Sequence, residues 1–411
     1  EMIKILWLCN IVLPDFSTEF GLRKYYVGGW MTSMLRQLEG KKDLDIAVCC
    51  PIIDDWRARD GVCRGHRYYA FPFSDREYHE TVKERFRAIL EDYAPDVVHI
   101  WGTEYPHTLA MVDACQEMDL LDKVAVNIQG LVSIYAQHYY ADVPETYRAM
   151  SVDGYPTIEQ GQRDFVQRGK YEIEVLSKVR HVIGRTDWDE ACAKRIHPEV
   201  QYHFCNEILR DEFYKHIGQW TYDNCQKHSI FVSQGEYPIK GLHYLLKAMP
   251  DVLRQYPDAH IYVAGRDIMQ PDQQGNVGPY GQYLDALVRE GNLNGHITFL
   301  GMLSEVEMAA QYLRANVFVS ASSIENSSNS VQEAALLGCP MVASYVGGTQ
   351  NFVYPGQNGF LYQHDAEYML GCYIGRIFRQ QEFHAGCETV QDIVCCEENA
   401  GTLWQIYCKI F

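Results

Sequence analysis

Two carboxylates stand where the sequence passes from an apolar run into a polar loop and then into a predicted helix. Glu325 lies in a loop rich in Ser and Asn, and Glu333 follows on the first turns of the helix. Carboxylates accept hydrogen bonds from sugar hydroxyls, and the free N–H groups of a helix start suit a phosphate. Because Ser and Asn are also favoured helix caps, the pattern leaves a ligand site and plain N-capping both open.

Lys240 is a third candidate, at a predicted helix start that follows another apolar run. The helix macrodipole disfavours a cation there. Residues 206–411 contain 12 Lys and Arg against 22 Asp and Glu, so a lysine at this position indicates an anionic partner, with a solvated surface lysine as the alternative. The pair Gly28 and Gly29, before a helical run at 31–37, would let a ligand approach the backbone, although a simple turn explains it equally well.

The elements that must position these residues are short apolar runs separated by amphipathic stretches. This pattern is typical of parallel sheets covered by helices on both faces. Two successive series, separated by the polar and aromatic residues 205–228, predict two doubly wound α/β domains with ligands beyond the carboxyl ends of the strands and in the cleft between the domains. The predicted strands are 4–8, 45–49, 97–100, 124–128, 182–184, 229–232, 260–264, 297–300, 317–320 and 340–343, and the predicted helices include 241–255, 280–290, 304–315 and 330–337.

Composition excludes several classes of protein. The 411 residues carry 36 Lys and Arg against 54 Asp and Glu, a net charge of −18, which argues against a general nucleic-acid binder. No run approaches about 18 consecutive apolar residues, so no transmembrane helix is expected, and the apolar start at 3–14 predicts a buried strand rather than a signal peptide. The 14 cysteines show no C-x-x-C spacing, which favours reduced thiols in a cytosol over disulfides or a zinc site.

Together these motifs resemble those of the GT-B glycosyltransferases, specifically the retaining nucleotide-sugar transferases of family four. That family carries two glutamates separated by seven residues, as at Glu325 and Glu333, and then small or apolar residues, a glycine and a proline before a strand, as at 334–344. The turn at 346–348, residues 238–241 and the glycine pair are also similar to the family pattern. The resemblance covers most of the chain and implies the GT-B fold, with two facing Rossmann-like domains and the active site in the cleft.

The resemblance also implies a division of the chain. Residues 1–205 would form the acceptor-side N-terminal domain, residues 206–395 the nucleotide-sugar donor domain, and residues 396–411 a C-terminal helix that returns to the first domain. Segments such as 182–189 and 237–243 look most similar to a bacterial subgroup that builds capsule, exopolysaccharide or lipopolysaccharide.

Catalysis is assigned by the resemblance to Lys240 and Glu325. Lys240 would bind the donor pyrophosphate and stabilise it as it leaves, and Glu325 would contact donor-sugar hydroxyls near the reacting carbon. Glu333 would accept hydrogen bonds from the ribose hydroxyls. The other donor-binding residues would be Gly28, Gly29, Gln234, Arg266, Met302, Ser328, Asn329 and Ser330.

Two positions depart from the family pattern. Many members have Arg five or six residues before the phosphate-binding lysine, where this chain has Gly235 and Gln234, so Arg266 is a candidate substitute. Many members also have His near the transferred sugar, at about the place of Gln129. A glutamine amide can position a hydroxyl but cannot act as a base.

The expected function is transfer of a sugar, with retention, from a nucleotide-sugar donor to a glycan or lipid-linked glycan in surface polysaccharide synthesis in the cytoplasm. No cofactor or metal is expected, since fixed N–H groups and Lys240 would stabilise the departing diphosphate. A non-catalytic partner in a glycan-assembly complex, motivated by Gln129 and Gln234, and a sugar-nucleotide 2-epimerase are the alternatives. The basic and aromatic stretch 56–69 could contact the inner face of a membrane or could be a solvated loop.

Overall fold

The computed structural model describes residues 2–19, 29–52, 60–73, 77–379 and 388–411. Its strands are β1 (Ile3–Leu8), β2 (Leu44–Ile52), β3 (Gly61–Cys63), β4 (His66–Pro72), β5 (Val97–Trp101), β6 (Val124–Asn127), β7 (His181–Gly184), β8 (Gln201–Phe204), β9 (Gln226–Val232), β10 (His260–Val263), β11 (Ile297–Phe299), β12 (Ala315–Ser320), β13 (Met341–Ser344) and β14 (Gly359–Tyr362). Its helices are α1 (Pro14–Glu19), α2 (Gly29–Leu38), α3 (Glu80–Tyr93), α4 (Pro106–Glu117), α5 (Val132–Tyr135), α6 (Glu145–Arg148), α7 (Ile158–Lys178), α8 (Asp187–Ile196), α9 (Asp211–Tyr214), α10 (Leu242–Gln255), α11 (Pro279–Glu290), α12 (Glu305–Arg314), α13 (Asn329–Leu337), α14 (Glu367–Arg379), α15 (Glu388–Gln391) and α16 (Cys396–Ile410).

The strands form two sheets. The first has the order β3-β4-β2-β1-β5-β6-β7-β8, in which only the β3–β4 pair is antiparallel, and the second has the order β11-β10-β9-β12-β13-β14 and is parallel throughout. Strands such as β5, β7 and β13 are buried at every residue, as expected for parallel strands with helices on both faces. All ten strands predicted from the sequence are confirmed, while β3, β4, β8 and β14 were not predicted.

Contacts divide the chain into two compact units. Unit 1 comprises residues 1–134, 164–210 and 393–411 and holds the eight-stranded sheet, while unit 2 comprises residues 135–163 and 211–392 and holds the six-stranded sheet. The sequence predicts that residues 135–163 belong to the domain 1–205. The structure instead groups them with unit 2, because they pack on its helices.

Helix α16 belongs to unit 1 and is fixed there by a buried polar contact. The Tyr407 hydroxyl accepts a hydrogen bond from Trp7 Nε1 at 2.9 Å and lies 2.6 Å from His99 Nδ1. Burial lowers the pKa of His99 to about 3, so the imidazole is neutral near pH 7 and can accept the hydrogen of the Tyr407 hydroxyl. Because buried polar groups are costly without partners, this contact ties the end of the described chain to the first strand.

The sheet of unit 2 has two different faces. Helices α10, α11 and α14 pack together on one face, over a core that includes Leu245, Leu284 and Ile374. On the opposite face the rings of Phe231 and Phe318 lie 5.0 and 5.1 Å from that of Tyr312 on α12, and α12 packs on α13. The strand alternation explains the division, since the neighbours of both phenylalanines belong to the first core.

Residues 135–163 complete the core on the α10 and α11 face. Ala141, Val143 and Ile158 are buried in that cluster. The carbonyl oxygen of Ala141 lies 2.6 Å from His243 Nε2, and the Tyr244 hydroxyl donates to Asp142 at 2.6 Å. The segment is therefore an integral part of unit 2, although it is far from the rest of that unit in sequence.

Candidate functional site

The predicted residues of unit 2 lie in loops at the carboxyl ends of its parallel strands. Gln234 and Lys240 follow β9, Arg266 follows β10, and Met302 follows β11. Glu325 follows β12 in the loop that leads to α13. Since the carboxyl ends of parallel strands meet at one edge of a sheet, the fold gathers these residues at the edge where ligands of doubly wound sheets bind.

The centre of this edge is an ion pair between two of the predicted residues. Lys240 Nζ lies 2.8 Å from Glu325 Oε2, and their side chains are 22% and 12% exposed. Ser322 Oγ donates to the same carboxylate oxygen at 3.4 Å. Although burial opposes the charged ammonium, Glu325 and the Tyr237 hydroxyl raise the pKa of Lys240, so the lysine is a fixed cation.

Two glycines bring the loops of this ion pair together. Gly241 directly follows Lys240 with a φ of +72°, and a Cβ there would collide with the carbonyl oxygen of Ala321. Gly347 has a φ of +49°, and a Cβ there would collide with the carbonyl oxygen of Glu325. Both positions need glycine for its positive φ and for close backbone approach.

At the start of α13 the structure shows the N-cap, and the ligand-binding interpretation stays a prediction. Ser328 is the N-cap, and its hydroxyl accepts from the Val331 N–H at 3.4 Å. Asn329 and Ser330 begin the helix and are partly exposed at the sheet edge. Glu333 lies one turn further on, is only 3% exposed, and accepts a hydrogen bond from the Tyr312 hydroxyl at 3.3 Å. The cap therefore leaves Asn329 and Ser330 accessible at the sheet edge.

The remaining predicted residues of unit 2 differ in their surroundings. Gln234 is exposed, and the side chain of Met302 is 80% exposed. The backbone N–H of Arg266 donates to Glu236 Oε1 at 2.9 Å, while its guanidinium makes no ion pair or hydrogen bond with the part of the chain that the structure describes. These three side chains are accessible to a ligand.

Two of the predicted residues, Gly29 and Gln129, belong to unit 1. Gly29 is the first residue of α2, and Gly28 lies outside the described residues. Gln129 follows β6, and its backbone oxygen accepts from Arg185 Nη2 at 2.9 Å. Arg185 also forms a buried ion pair with Glu207 at 2.8 Å, which fixes the loop of Gln129.

Two tyrosines were missed by the sequence analysis. Tyr237 lies with its ring centroid 6.0 Å from Lys240 Nζ, and burial raises the pKa of its hydroxyl. The Tyr135 hydroxyl accepts from the backbone N–H of Asn326 at 2.8 Å, beside Glu325. Tyr237 could have been suspected from its place in the Lys240 loop. Tyr135 carried no signal, because its segment was expected in the other domain.

The described residues also bear on the metal, membrane and disulfide expectations. Within these ranges no group of three or more His, Cys, Asp and Glu side chains is placed to hold a metal ion. Nor does any helix there combine the length and apolar character needed to cross a membrane. In the basic stretch, Arg64 pairs with Asp15 at 2.9 Å and Arg67 with Asp92 at 3.1 Å, while residues 56–59 lie outside the description. The cysteines of the described part are free thiols.

The fold is that of known GT-B structures. Sucrose-phosphate synthase from Thermosynechococcus elongatus matches with a TM-score of 0.71 and 20% identity over 100% of this chain and 99% of that one. Anabaena HepE, solved in complex with UDP and glucose, matches with a TM-score of 0.61 and 13% identity over 99% and 98%. WaaG, a glycosyltransferase involved in lipopolysaccharide biosynthesis, gives 0.58 and 12% over 99% of both chains. The predicted fold class, GT-B with two parallel-sheet Rossmann-like domains, is confirmed.

A family model matches the part of the chain that contains the ion pair. Residues 226–376 match the family model described as Glycosyl transferases group 1, and this range includes Lys240, Glu325 and Glu333. Spore coat protein SA of Bacillus subtilis is 28% identical over 130 residues, 31% of this chain and 33% of its own length. Phosphatidyl-myo-inositol mannosyltransferase of Mycolicibacterium smegmatis is 27% identical over 159 residues, 38% and 37% of the two chains. The chain thus matches about a third of the length of these relatives.

Proposed function

We propose that this protein is a retaining glycosyltransferase that transfers a sugar from a nucleotide-sugar donor to a glycan or lipid-linked glycan in surface polysaccharide synthesis. The glycosyl transferases group 1 domain and the GT-B fold support the activity. Similar structures that contain UDP or UDP-glucose support a nucleotide-sugar donor. Relatives named as a phosphatidyl-myo-inositol mannosyltransferase and an alpha-monoglucosyldiacylglycerol synthase motivate a lipid-linked acceptor.

The observation that carries the proposal is the Lys240–Glu325 ion pair, which joins the loops after β9 and β12 at 2.8 Å. A cation fixed beside a carboxylate can hold the two parts of a sugar diphosphate at once. Lys240 would bind the pyrophosphate, and Glu325 would accept hydrogen bonds from sugar hydroxyls.

The reaction would then be driven by stabilisation of the leaving group. The bond from the sugar C1 to the phosphate oxygen breaks, and the negative charge that develops on the diphosphate is stabilised by Lys240 and by the N–H groups at the start of α13. The acceptor oxygen bonds to C1 on the same face, and its proton passes to the departing phosphate oxygen. No side chain of the protein needs to act as nucleophile or base in this sequence.

Further donor contacts complete the proposal. Glu333 would bind the ribose hydroxyls, which requires one of its carboxylate oxygens to become accessible in the complex. Met302 would lie beside the nucleobase, Gln234 beside the pyrophosphate, and Gln129 of unit 1 would position a sugar hydroxyl. The expectation that Arg266 contacts the pyrophosphate remains a prediction.

A panel of nucleotides tests the donor site. We would measure the melting temperature with UDP, GDP, ADP, CMP and their sugars in EDTA. A ligand at about 100 times its Kd stabilises the native state by about 2.7 kcal/mol. The expected result is a shift by one nucleotide that is lost in Glu333→Ala and kept in Glu290→Ala, which removes an exposed glutamate of α11. A melting-temperature shift that appears only with added divalent metal would contradict the expectation that donor binding needs no metal.

The outcome also separates the alternatives. If no nucleotide shifts the melting temperature, a non-catalytic partner in a glycan-assembly complex becomes the better description. If a nucleotide sugar is converted to its 2-epimer without an acceptor, the protein is an epimerase.

Contact with a membrane is proposed only as a peripheral interaction. Arg64 and Arg67 already form ion pairs, which reduces the charge they can offer to lipid headgroups. Co-sedimentation with anionic but not neutral vesicles, lost in the double variant Arg64→Glu and Arg67→Glu, is the expected result. Equal sedimentation of both proteins would end this part of the proposal.

A further inference from the structure

Unit 2 contains a cavity of about 360 Å³ that no predicted donor contact except Arg266 accounts for. Residues 139–161 form one wall, and the loop between β10 and α11 forms the other. The volume falls within the range of pockets that hold small ligands in proteins.

The walls of this cavity are held in place by close packing and by hydrogen bonds. A Cβ at Gly278 would lie 2.7 Å from the Tyr155 ring, and a Cβ at Gly161 would collide with the Tyr139 hydroxyl. The Asp272 carboxylate, which also lines the cavity, accepts from the backbone N–H groups of two loop residues at 2.9 and 2.8 Å. The pocket is therefore a built feature and not a gap between loose loops.

Unused polar groups line the cavity together with the tyrosines. The Arg266 guanidinium has no partner within the described chain, and Glu236 uses only Oε1, which accepts from the Arg266 N–H at 2.9 Å. The free carboxylate oxygen can accept from hydroxyls, and the guanidinium offers five donors. Aromatic rings beside such groups supply an apolar surface with a polar edge. This combination suits a polyhydroxylated ring.

The charge of the lining selects against an acidic ligand. Among the described lining residues, the carboxylates of Glu236, Asp267 and Asp272 face a single cation, Arg266. An anionic sugar would gain one charge contact and meet three like charges, so a neutral sugar is favoured.

Apart from Arg266, the residues that line the cavity differ from those proposed to bind the nucleotide. The cavity is lined by the start of α11, on the face where α11 packs with α10, whereas Glu333 and Ser328 lie on α13, which packs with α12. Glu236 belongs to the same loop as Lys240, so the cavity adjoins the Lys240–Glu325 pair without sharing its residues.

We propose that this cavity binds a neutral saccharide unit of the acceptor, held by Arg266 and Glu236 and packed against Tyr139 and Tyr155. The proposal rests on the glycosyltransferase function proposed above and extends it by naming an acceptor subsite within the donor-carrying unit.

Saturation-transfer NMR tests the proposal with defined probes. These are the methyl glycosides of glucose, galactose, mannose and N-acetylglucosamine, with methyl glucuronide as the charged comparison. At least one neutral glycoside should bind, and methyl glucuronide should bind less well. Arg266→Met and Glu236→Gln should each weaken binding by at least about tenfold, as expected for the loss of a hydrogen bond to a charged group. Arg254→Met, which removes an exposed arginine of α10, should leave binding unchanged.

Repeating the experiment with a saturating nucleotide from the melting panel distinguishes the two sites. The glycoside signal should persist with the nucleotide bound and in Glu333→Ala. Displacement by the nucleotide, preference for the glucuronide, no binding of any neutral glycoside, or unchanged binding in both pocket variants would each overturn the acceptor subsite. Since nucleotide binding is measured separately, either proposal can fail without the other.

Discussion

We expect Glu325 to oppose nucleotide binding, even though the proposed mechanism gives it a role in sugar transfer. In the free protein its carboxylate lies 2.8 Å from Lys240 Nζ and neutralises the cation that the diphosphate needs. Glu325→Gln keeps the shape of the side chain but removes its charge. We therefore expect this variant to bind UDP more tightly than the wild type and to transfer sugar more slowly.

The size of the effect follows from the exposure of the pair. Side chains that are 22% and 12% exposed lie between a surface ion pair, worth up to about 1 kcal/mol, and a buried one, whose disruption costs about 3–5 kcal/mol. Release of Lys240 from the ion pair in Glu325→Gln should tighten UDP binding by about two- to tenfold. Lys240→Met should weaken UDP binding by roughly 10- to 100-fold, the value of a charge-assisted hydrogen bond. Turnover of Glu325→Gln should fall by about 10²–10³, as for removal of a transition-state contact.

Isothermal titration with UDP, or with whichever nucleotide binds, measures the four proteins of a double-mutant cycle. In the Lys240→Met background, Glu325→Gln should change the affinity much less than in the wild type, because the two residues act through one contact. Glu367→Gln is the matched control, since it breaks a more exposed ion pair with Lys247 elsewhere in unit 2. If Glu325→Gln lowers the affinity for the nucleotide as much as Lys240→Met does, Glu325 contacts the nucleotide itself. The expectation that Glu325 opposes nucleotide binding would then be wrong.

Three further predictions concern stability and are measured by urea unfolding. Gly241→Ala should cost about 2 kcal/mol more than Gly275→Ala, because both have positive φ but only Gly241 also lacks space for a Cβ, and equal costs would contradict this. Burial raises the pKa of Glu172 from 4.5 to about 7, so the folded state keeps the carboxyl proton up to a higher pH than the unfolded state does. Stability relative to Glu172→Gln should therefore fall by up to about 3 kcal/mol as pH rises from about 4.5 to 7, and a pH-independent difference would exclude it. Tyr407→Phe should cost about 2–3 kcal/mol because it leaves two buried groups unpaired. Tyr373→Phe should cost little, because this ring stacks on Phe360 and its hydroxyl makes no hydrogen bond within the described residues.

The strands that the sequence predicts are those with continuous apolar runs, which is why both parallel sheets could be anticipated. Of the strands that it misses, β3 and β8 lack such runs, whereas β4 and β14 contain only the short apolar runs 68–71 and 360–362. Strand β8 is an edge strand with no buried residue, and β3 and β4 are joined by a tight turn at the other edge of their sheet. Their formation depends on pairing with a neighbour, which a local pattern does not show.

The same limit applies to the site. Lys240 and Glu325 could be predicted because each lies in a connection that follows a strand of one sheet, and the fold joins them across 85 residues. Tyr135 and the cavity wall at residues 139–161 could not be assigned to unit 2, because their place depends on packing against α10 and α11. Contacts between segments distant in sequence leave no periodic signal in either segment.

The Tyr407 contact has a consequence for how the chain folds during synthesis. Tyr407 follows His99 by 308 residues, so at about 5–20 residues per second the ribosome delivers it roughly 15–60 s later. During that interval all of unit 2 emerges, while Trp7 and His99 still lack their hydroxyl partner. The last element of unit 1 can therefore dock only after unit 2 has been made, and until then the Trp7 side of the first strand lacks its contact with α16.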